Sequence, residues 1–158
     1  MPRSTGVKTS PIVDLPQWSK KLELLLACKQ VRQPLVLAVD DDADSLFLLT
    51  EVLSASNYSY VTATNGQAAL ALAQQHQPDL ILLDILLPDL NGIEVLQRLR
   101  RDPSTQRIPV IAVTALAKKE DQHRILAAGC DAYLTKPYML EDLEAKITRH
   151  LYPIASIA

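Results

Sequence analysis

The sequence predicts an α/β fold with a doubly wound, five-stranded parallel sheet and an N-terminal extension. The first observation is the run Leu80–Leu83, four apolar residues without alternation. A strand with one solvated face alternates apolar and polar residues, so a short continuous run is typical of a strand covered on both faces. The second observation is that apolar runs and helically spaced apolar residues alternate five times after Pro34, with short joins. This alternation indicates a parallel sheet with crossover helices.

Each element has its own local signals. The apolar runs predict strands at 35–39, 58–63, 80–83, 110–113 and 132–135. The helices between and after them are predicted from apolar residues at helical spacing: 46, 49, 52 and 53; 68, 69, 72 and 73; 95, 96 and 99; 118–128; and 140, 143, 147 and 151. Asn65 is a suitable N-cap for the second helix, and Gly129 a suitable C-cap for the fourth. Asp42 and Asp44 are interpreted as residues of a solvated loop.

The chain divides into an arm over residues 1–33 and a domain over residues 34–152. The arm carries six Lys or Arg and two acidic residues, a net charge of +4, whereas the whole chain carries −2 and the remainder therefore −6. Prolines occur early in the arm, and a helix is predicted over residues 18–30, with Leu22, Leu25 and Leu26 on one face. This stripe can dock on the domain or on a second copy, as in a homodimer.

Composition excludes several classes of protein. A net charge of −2 argues against a nucleic-acid footprint over the whole chain. Cys28 and Cys130 lie far apart and have no metal-binding spacing, which favours a reducing compartment. No apolar run approaches the roughly 18 residues of a membrane span, and the N-terminus lacks the apolar core of a signal peptide. We therefore expect a cytoplasmic protein with no membrane insertion.

Polar residues follow four of the predicted strands: Asp40 and Asp41, then Asp84, Thr114 and Lys136. In a doubly wound sheet these carboxyl ends line one edge, where such folds bind ligands. Crowded carboxylates repel unless a cation joins them, and oxygen ligands without His or Cys favour magnesium. A hydroxyl and an ammonium beside them can hold phosphoryl oxygens. The sequence therefore predicts phosphoryl transfer to or from a carboxylate.

Four motifs at these strand ends resemble those of the receiver domains of two-component response regulators, of the stand-alone chemotaxis-regulator type. They are Val39-Asp40-Asp41-Asp42, Asp84 with Pro88 and Asn91-Gly92, Val113-Thr114-Ala115, and Tyr133-Leu134-Thr135-Lys136-Pro137. The resemblance covers about residues 34–151. It implies a flavodoxin-like sheet with strand order 2-1-3-4-5.

The resemblance also implies a role for each matching residue near the metal. Asp84 is then the phosphoacceptor. Asp41 is a direct ligand of Mg²⁺, Asp40 acts partly through water, and the backbone carbonyl of Leu86 supplies a further ligand.

On the same grounds Thr114 and Lys136 bind the phosphoryl oxygens, and Tyr133 is an aromatic switch residue. Leu86 and Leu116 flank the path by which water reaches the phosphorus atom. Because both side chains are apolar, we expect a long-lived phosphorylated state.

The function implied is a signalling switch rather than an enzyme, with self-catalysed phosphoryl transfer and slow autodephosphorylation only. Its partners are then a sensor histidine kinase or phosphotransfer protein and a downstream protein target, with no direct binding to nucleic acid. We expect no effector domain after residue 151, and we therefore expect the output to be a protein–protein contact.

Two other functions use similar residues. Asp40, Asp42, Asp44 and Glu51 match positions 1, 3, 5 and 12 of a calcium-binding EF-hand loop, but Ser45 stands where that loop needs glycine. A haloacid-dehalogenase-type phosphatase also uses a strand-end Asp pair, a Thr and a Lys. Its signature needs Thr at position 44, which is Asp here, and the chain is short for that fold. Sustained turnover of a phosphomonoester would favour the phosphatase.

Overall fold

The computed structural model describes residues 19–20 and 33–153. In chain order the strands within this part are β1 (Leu35–Val39), β2 (Ser59–Ala63), β3 (Leu80–Leu83), β4 (Val110–Thr114) and β5 (Ala132–Thr135). The helices are α1 (Ala43–Ala55), α2 (Gly66–His76), α3 (Gly92–Arg101), α4 (Lys119–Ala127) and α5 (Leu140–Leu151). The predicted alternation is confirmed. The second strand begins one residue later than predicted.

The five strands form one parallel sheet in the order β2-β1-β3-β4-β5, as expected. Both faces of the central strand are buried, and neighbouring residues pack into different layers. Ile81 and Leu83 contact the layer that includes α2, α3 and α4, whereas Leu80 and Leu82 contact the layer with α1 and α5. This two-sided burial explains why the apolar run of β3 shows no alternation.

Side chains at the N-termini of α1, α2 and α3 accept hydrogen bonds from backbone N–H groups that these helices leave free. Asn65 caps α2 through the Ala68 N–H at 2.8 Å, as predicted, and Asn91 caps α3 through the Ile93 N–H at 2.9 Å. Asp42 is exposed in the loop between β1 and α1, as predicted, and is also the N-cap of α1, whereas Asp44 lies in the first turn of the helix rather than in the loop. Since α1 begins at Ala43, residues 40–51 cannot form a calcium-binding loop.

The backbone divides into two units, Met1–Arg32 and Gln33–Ala158. Ser19 and Lys20 are helical, and the rest of the helix predicted over residues 18–30 lies outside the described residues, as do Leu22, Leu25 and Leu26. The predicted domain bounds, 1–33 and 34–152, stay a prediction. No helix in the described part of the chain has the length and apolar character needed to cross a membrane.

Candidate functional site

Two carboxylates and an ammonium meet where β1, β3 and β5 end. Val39 pairs with Leu83, so the residues that follow them, Asp40 and Asp84, lie side by side. Lys136, which follows β5, reaches both: its Nζ lies 2.6 Å from Asp40 Oδ2 and 3.3 Å from Asp84 Oδ2. The sequence separations are 96 and 52 residues, so the contact exists only in the folded sheet. The expected convergence of these three residues is confirmed by the geometry.

Both aspartates of this ion pair are buried, which is uncommon for charged side chains. Asp40 is only 1% exposed and Asp84 only 6%. Burial raises the pKa of Asp40, although the hydrogen bonds from Lys136 and from the Asp42 N–H act in the opposite direction. Burial alone would lower the pKa of Lys136, but the hydrogen bond to Asp40 and the charges of Asp84 and Asp40 outweigh it, and this pKa is raised. Lys136 is therefore a fixed cation at neutral pH.

Backbone N–H groups orient the two buried carboxylates. The Asp42 N–H donates to Asp40 Oδ1 at 2.9 Å, and the Leu86 N–H donates to Asp84 Oδ1 at 3.1 Å. Each carboxylate thus directs Oδ1 to the backbone and Oδ2 to Lys136. Charged hydrogen bonds of this kind fix both position and orientation.

A third carboxylate completes a group that fits a divalent cation. One oxygen each from Asp40, Asp41 and Asp84 can be chosen such that all lie within 4.8 Å of one another. Asp41 is exposed, whereas the other two are buried. Three carboxylates against the single ammonium of Lys136 leave an excess of negative charge. An all-oxygen donor set with this excess suits magnesium or a similar hard ion.

Thr114 ends β4 with its side chain fully buried. Its Oγ1 accepts the Leu116 N–H at 3.4 Å, and its carbonyl accepts the Lys136 N–H at 2.8 Å. Within the described residues Thr114 makes no hydrogen bond to Asp40 or Asp84. The strand therefore brings Thr114 to the site edge, beside Lys136, without a hydrogen bond to either carboxylate.

The ring of Tyr133 on β5 packs against the same layer of the core as Leu116. Its hydroxyl is the one buried side-chain polar atom in the described part of the chain that has no hydrogen-bond partner. A buried group left unsatisfied costs about 1–3 kcal/mol. The inward position of this ring is therefore held by packing and opposed by its own hydroxyl.

Replacing Tyr133 with phenylalanine is expected to stabilise the fold by about 1 kcal/mol, because it removes the unpartnered hydroxyl and keeps the ring. Urea unfolding at constant m-value measures the change. Tyr60→Phe is the matched control, since Tyr60 is 40% exposed and its hydroxyl can be hydrated. A Tyr133→Phe variant less stable than the wild type would contradict this prediction.

Ser45 is a site neighbour that the sequence did not reveal. Its Oγ lies 3.4 Å from Lys136 Nζ, and its backbone N–H donates to Asp42 Oδ2 at 2.9 Å. In the sequence, Ser45 is distinctive only because it stands where a calcium-binding loop needs glycine. Its proximity to Lys136 depends on a contact across 91 residues, for which the sequence holds no local signal.

Solved structures similar to this chain are receiver domains. A CheY-like response regulator receiver domain protein from Methanospirillum hungatei is 31% identical, with a TM-score of 0.72, and the match covers 80% of this chain and 100% of that one. The receiver domain of a sensor histidine kinase from Pseudomonas aeruginosa is 28% identical, with a TM-score of 0.71 and coverage of 76% and 98%. That structure has a magnesium ion coordinated in its active-site cleft.

The sequence comparisons agree. The polar-differentiation response regulator DivK of Brucella anthropi is 46% identical over 102 residues, which is 65% of this chain and 83% of that protein. The family model of the response regulator receiver domain matches residues 36–148. This range contains β2 to β5, all of β1 except Leu35, both buried aspartates and Lys136. The chain therefore belongs to the response regulator receiver domain family.

Proposed function

We propose that Asp84 is the phosphoacceptor of this receiver domain and takes its phosphoryl group from a sensor histidine kinase or phosphotransfer protein. The observation that carries the proposal is the contact of Lys136 Nζ with Asp84 Oδ2, 3.3 Å long, at a nearly buried strand end. A carboxylate in this position is held beside a fixed positive charge and keeps a small exposed fraction, 6%. The phosphatase alternative has no support from the family matches.

The reaction proposed is a displacement at phosphorus. An oxygen of Asp84 attacks the phosphorus of a phosphohistidine, the P–N bond breaks, and the imidazole leaves with the bonding electron pair. The product is an acyl phosphate on Asp84. Lys136 is placed to neutralise charge on the phosphoryl oxygens, which is the main way proteins assist such transfers. Hydrolysis later breaks the P–O bond to the carboxylate and releases inorganic phosphate.

Magnesium is the proposed cofactor. Asp40, Asp41 and Asp84, with the backbone carbonyl of Leu86, would hold it, and the ion would supply further positive charge to the phosphoryl oxygens. The cluster formed by the three carboxylates supports this assignment. The magnesium ion in the cleft of the Pseudomonas aeruginosa receiver domain supports it as well.

Replacing Asp41 with asparagine is expected to weaken magnesium binding by about tenfold or more, since even outer-shell partners of a metal are worth that much. Among the described residues Asp41 has no ion-pair partner, so its charge is available to a cation. Magnesium titration followed by NMR measures the affinity. Asp44→Asn is the matched control, because Asp44 is also exposed and lies three residues along, in α1. Equal magnesium affinity in Asp41→Asn and the wild type would contradict the assignment.

The proposed switch involves Thr114 and Tyr133. Phosphoryl oxygens on Asp84 would draw in the Thr114 hydroxyl, and the space it leaves would favour a different position of the Tyr133 ring. This is a bias between two states by local contacts. The buried, unpartnered hydroxyl of Tyr133 supports this switch, because it makes the inward position of the ring less favourable.

Output would follow by contact with a downstream protein rather than with nucleic acid, in the cytoplasm and without membrane insertion. For residues 1–33, the proposal includes docking on a second copy of the chain, which would give a homodimer.

Incubation with magnesium and acetyl phosphate, followed by intact mass spectrometry, tests the proposed function. We expect a single phosphoryl group per chain and no sustained turnover of a phosphomonoester. Unmodified protein after this treatment, or continued release of phosphate from a phosphomonoester, would overturn the proposal.

A further inference from the structure

The loop that follows the proposed phosphoacceptor is fixed at its far end by close backbone contact. This segment, residues 86–91, is called the site loop; it joins β3 to α3. The Gly92 N–H donates to the Ile85 carbonyl at 2.8 Å. A Cβ added at Gly92 would lie 2.5 Å from Ile85 Cα and 2.8 Å from the Asp84 carbonyl oxygen. Only glycine permits this approach, so the two ends of the site loop meet directly beside Asp84.

The middle of the site loop is tied to a different helix. The carboxylate of Asp89 accepts the Gly66 N–H at 2.7 Å and the Gln67 N–H at 2.9 Å, one on each oxygen. A helix leaves its first N–H groups without partners inside the helix. In α2, the Asn65 side chain accepts the Ala68 N–H. Asp89 accepts two further N–H groups of this helix end, although it lies 23 and 22 residues after the donors.

Side-chain packing reinforces this tie. A Cβ added at Gly66 would lie 2.8 Å from Leu90 Cβ and 2.9 Å from Val95 Cγ2. The residue after Asp89 thus lies against the first residue of α2, with no room for a side chain between them. The hydrogen bonds and the packing place the same segment on the same helix end.

Charge favours the same contact. The Gly66 N–H holds the pKa of the Asp89 carboxyl below its ordinary value, with further hydrogen bonds from Gln67 and from the loop backbone. A negative charge at a helix N-terminus also interacts favourably with the helix dipole. Asp89 is therefore ionised at neutral pH, and both oxygens can accept.

We propose that Asp89 is a positioning residue of the site, whose contact with the α2 N-terminus fixes the site loop and so the Leu86 carbonyl that would hold the magnesium ion. The inference rests on the proposed function, in which Leu86 supplies a metal ligand. Asp89 itself touches neither the cation nor the phosphoryl group. Its effect is on how well the site is arranged before either one binds.

Magnesium affinity of Asp89→Ala, measured by NMR titration, tests the inference. We expect the dissociation constant to rise by about tenfold, which is the lower end of the range observed when an outer-shell partner of a metal is lost. Asp89→Asn should fall between this variant and the wild type, because its side chain has one acceptor oxygen for two donors. At saturating magnesium, labelling by acetyl phosphate should return to within about twofold of the wild-type rate, since the chemistry at Asp84 is intact.

Asp102→Ala is the matched control. Asp102 is also an aspartate with a lowered pKa and accepts hydrogen bonds from the Ser104 N–H at 2.9 Å and from Gln74 Nε2 at 2.7 Å. It lies after α3, at the opposite end from Asn91 and the site loop. We expect Asp102→Ala to lose stability without loss of magnesium affinity. Equal weakening of magnesium in both variants would overturn the inference, because it would reflect general destabilisation.

Hydrogen exchange without magnesium separates this inference from the proposed function. Amides of residues 86, 87 and 89–91 should exchange faster in Asp89→Ala than in Asp102→Ala or the wild type. Unchanged exchange there would overturn the positioning role whatever the metal affinity. A wild-type protein that binds no magnesium would overturn the proposed function, and the exchange rates would still decide the role of Asp89.

Discussion

Replacing Asp84 with asparagine is expected to abolish phosphorylation. The substitution keeps the shape of the side chain but replaces the carboxylate, the proposed nucleophile, with an amide. Lys136 keeps its shorter contact with Asp40, 2.6 Å from Nζ to Oδ2, so the fold should persist. After incubation with magnesium and acetyl phosphate, intact mass should show the wild type with one added phosphoryl group and the variant with none.

Asp79→Asn is the matched control for this experiment, because Asp79 precedes the same strand that Asp84 follows. Its Oδ2 accepts the Leu35 N–H at 2.8 Å, at the other edge of the sheet. An amide oxygen can still accept that N–H, so this variant should fold and be labelled like the wild type. Labelling of Asp84→Asn to the wild-type level would show that another group is the acceptor.

Loss of phosphate should be at least about tenfold faster in a variant carrying Leu86→Asn and Leu116→Glu. Leu86 is 51% exposed, and its backbone N–H donates to Asp84 Oδ1, so the residue lies directly beside the proposed phosphoacceptor. Leu116 is half-buried against the core, two residues after Thr114. Neither side chain can orient an attacking water, whereas an amide and a carboxylate can. The decay of radiolabelled or mass-detected phosphoprotein measures the rate.

Leu126→Asn controls for the loss of an exposed leucine elsewhere. Leu126 is 46% exposed, close to the value for Leu86, and lies on α4. We expect its phosphate lifetime to match that of the wild type. The two single variants then show which leucine matters. A double variant that decays no faster than the wild type would mean that shielding by these leucines does not set the lifetime.

Much of the fold and of the site core could be predicted because the signals are local. The unbroken run in β3 indicates burial on both faces, and Asn65 shows its helix start through a contact three residues away. The meeting of Asp40, Asp84 and Lys136 needed one further rule, that parallel strands end at one edge. These predictions depend on repeating geometry rather than on particular side-chain contacts.

Other features could not be predicted, because they depend on pairs distant in sequence. Nothing near Asp89 indicates that its carboxylate reaches Gly66, and nothing near Ser45 indicates Lys136. Such contacts follow from how helices and loops settle on the sheet, which tertiary packing decides. The N-cap bond of Asp42 to the Ser45 N–H is different: it spans three residues, like that of Asn65, so the sequence could have revealed it.

In the switch proposed for this site, the unpartnered hydroxyl of Tyr133 would also affect the conformational equilibrium before any phosphoryl group arrives. Its cost falls on the state in which the ring lies against the core, since a ring in solvent has a hydrated hydroxyl. A penalty of about 1 kcal/mol changes the ratio of two states by about fivefold. In the proposed switch, a single oxygen atom would thereby raise the basal population of the outward state and lower the free-energy difference that a phosphoryl group on Asp84 has to supply.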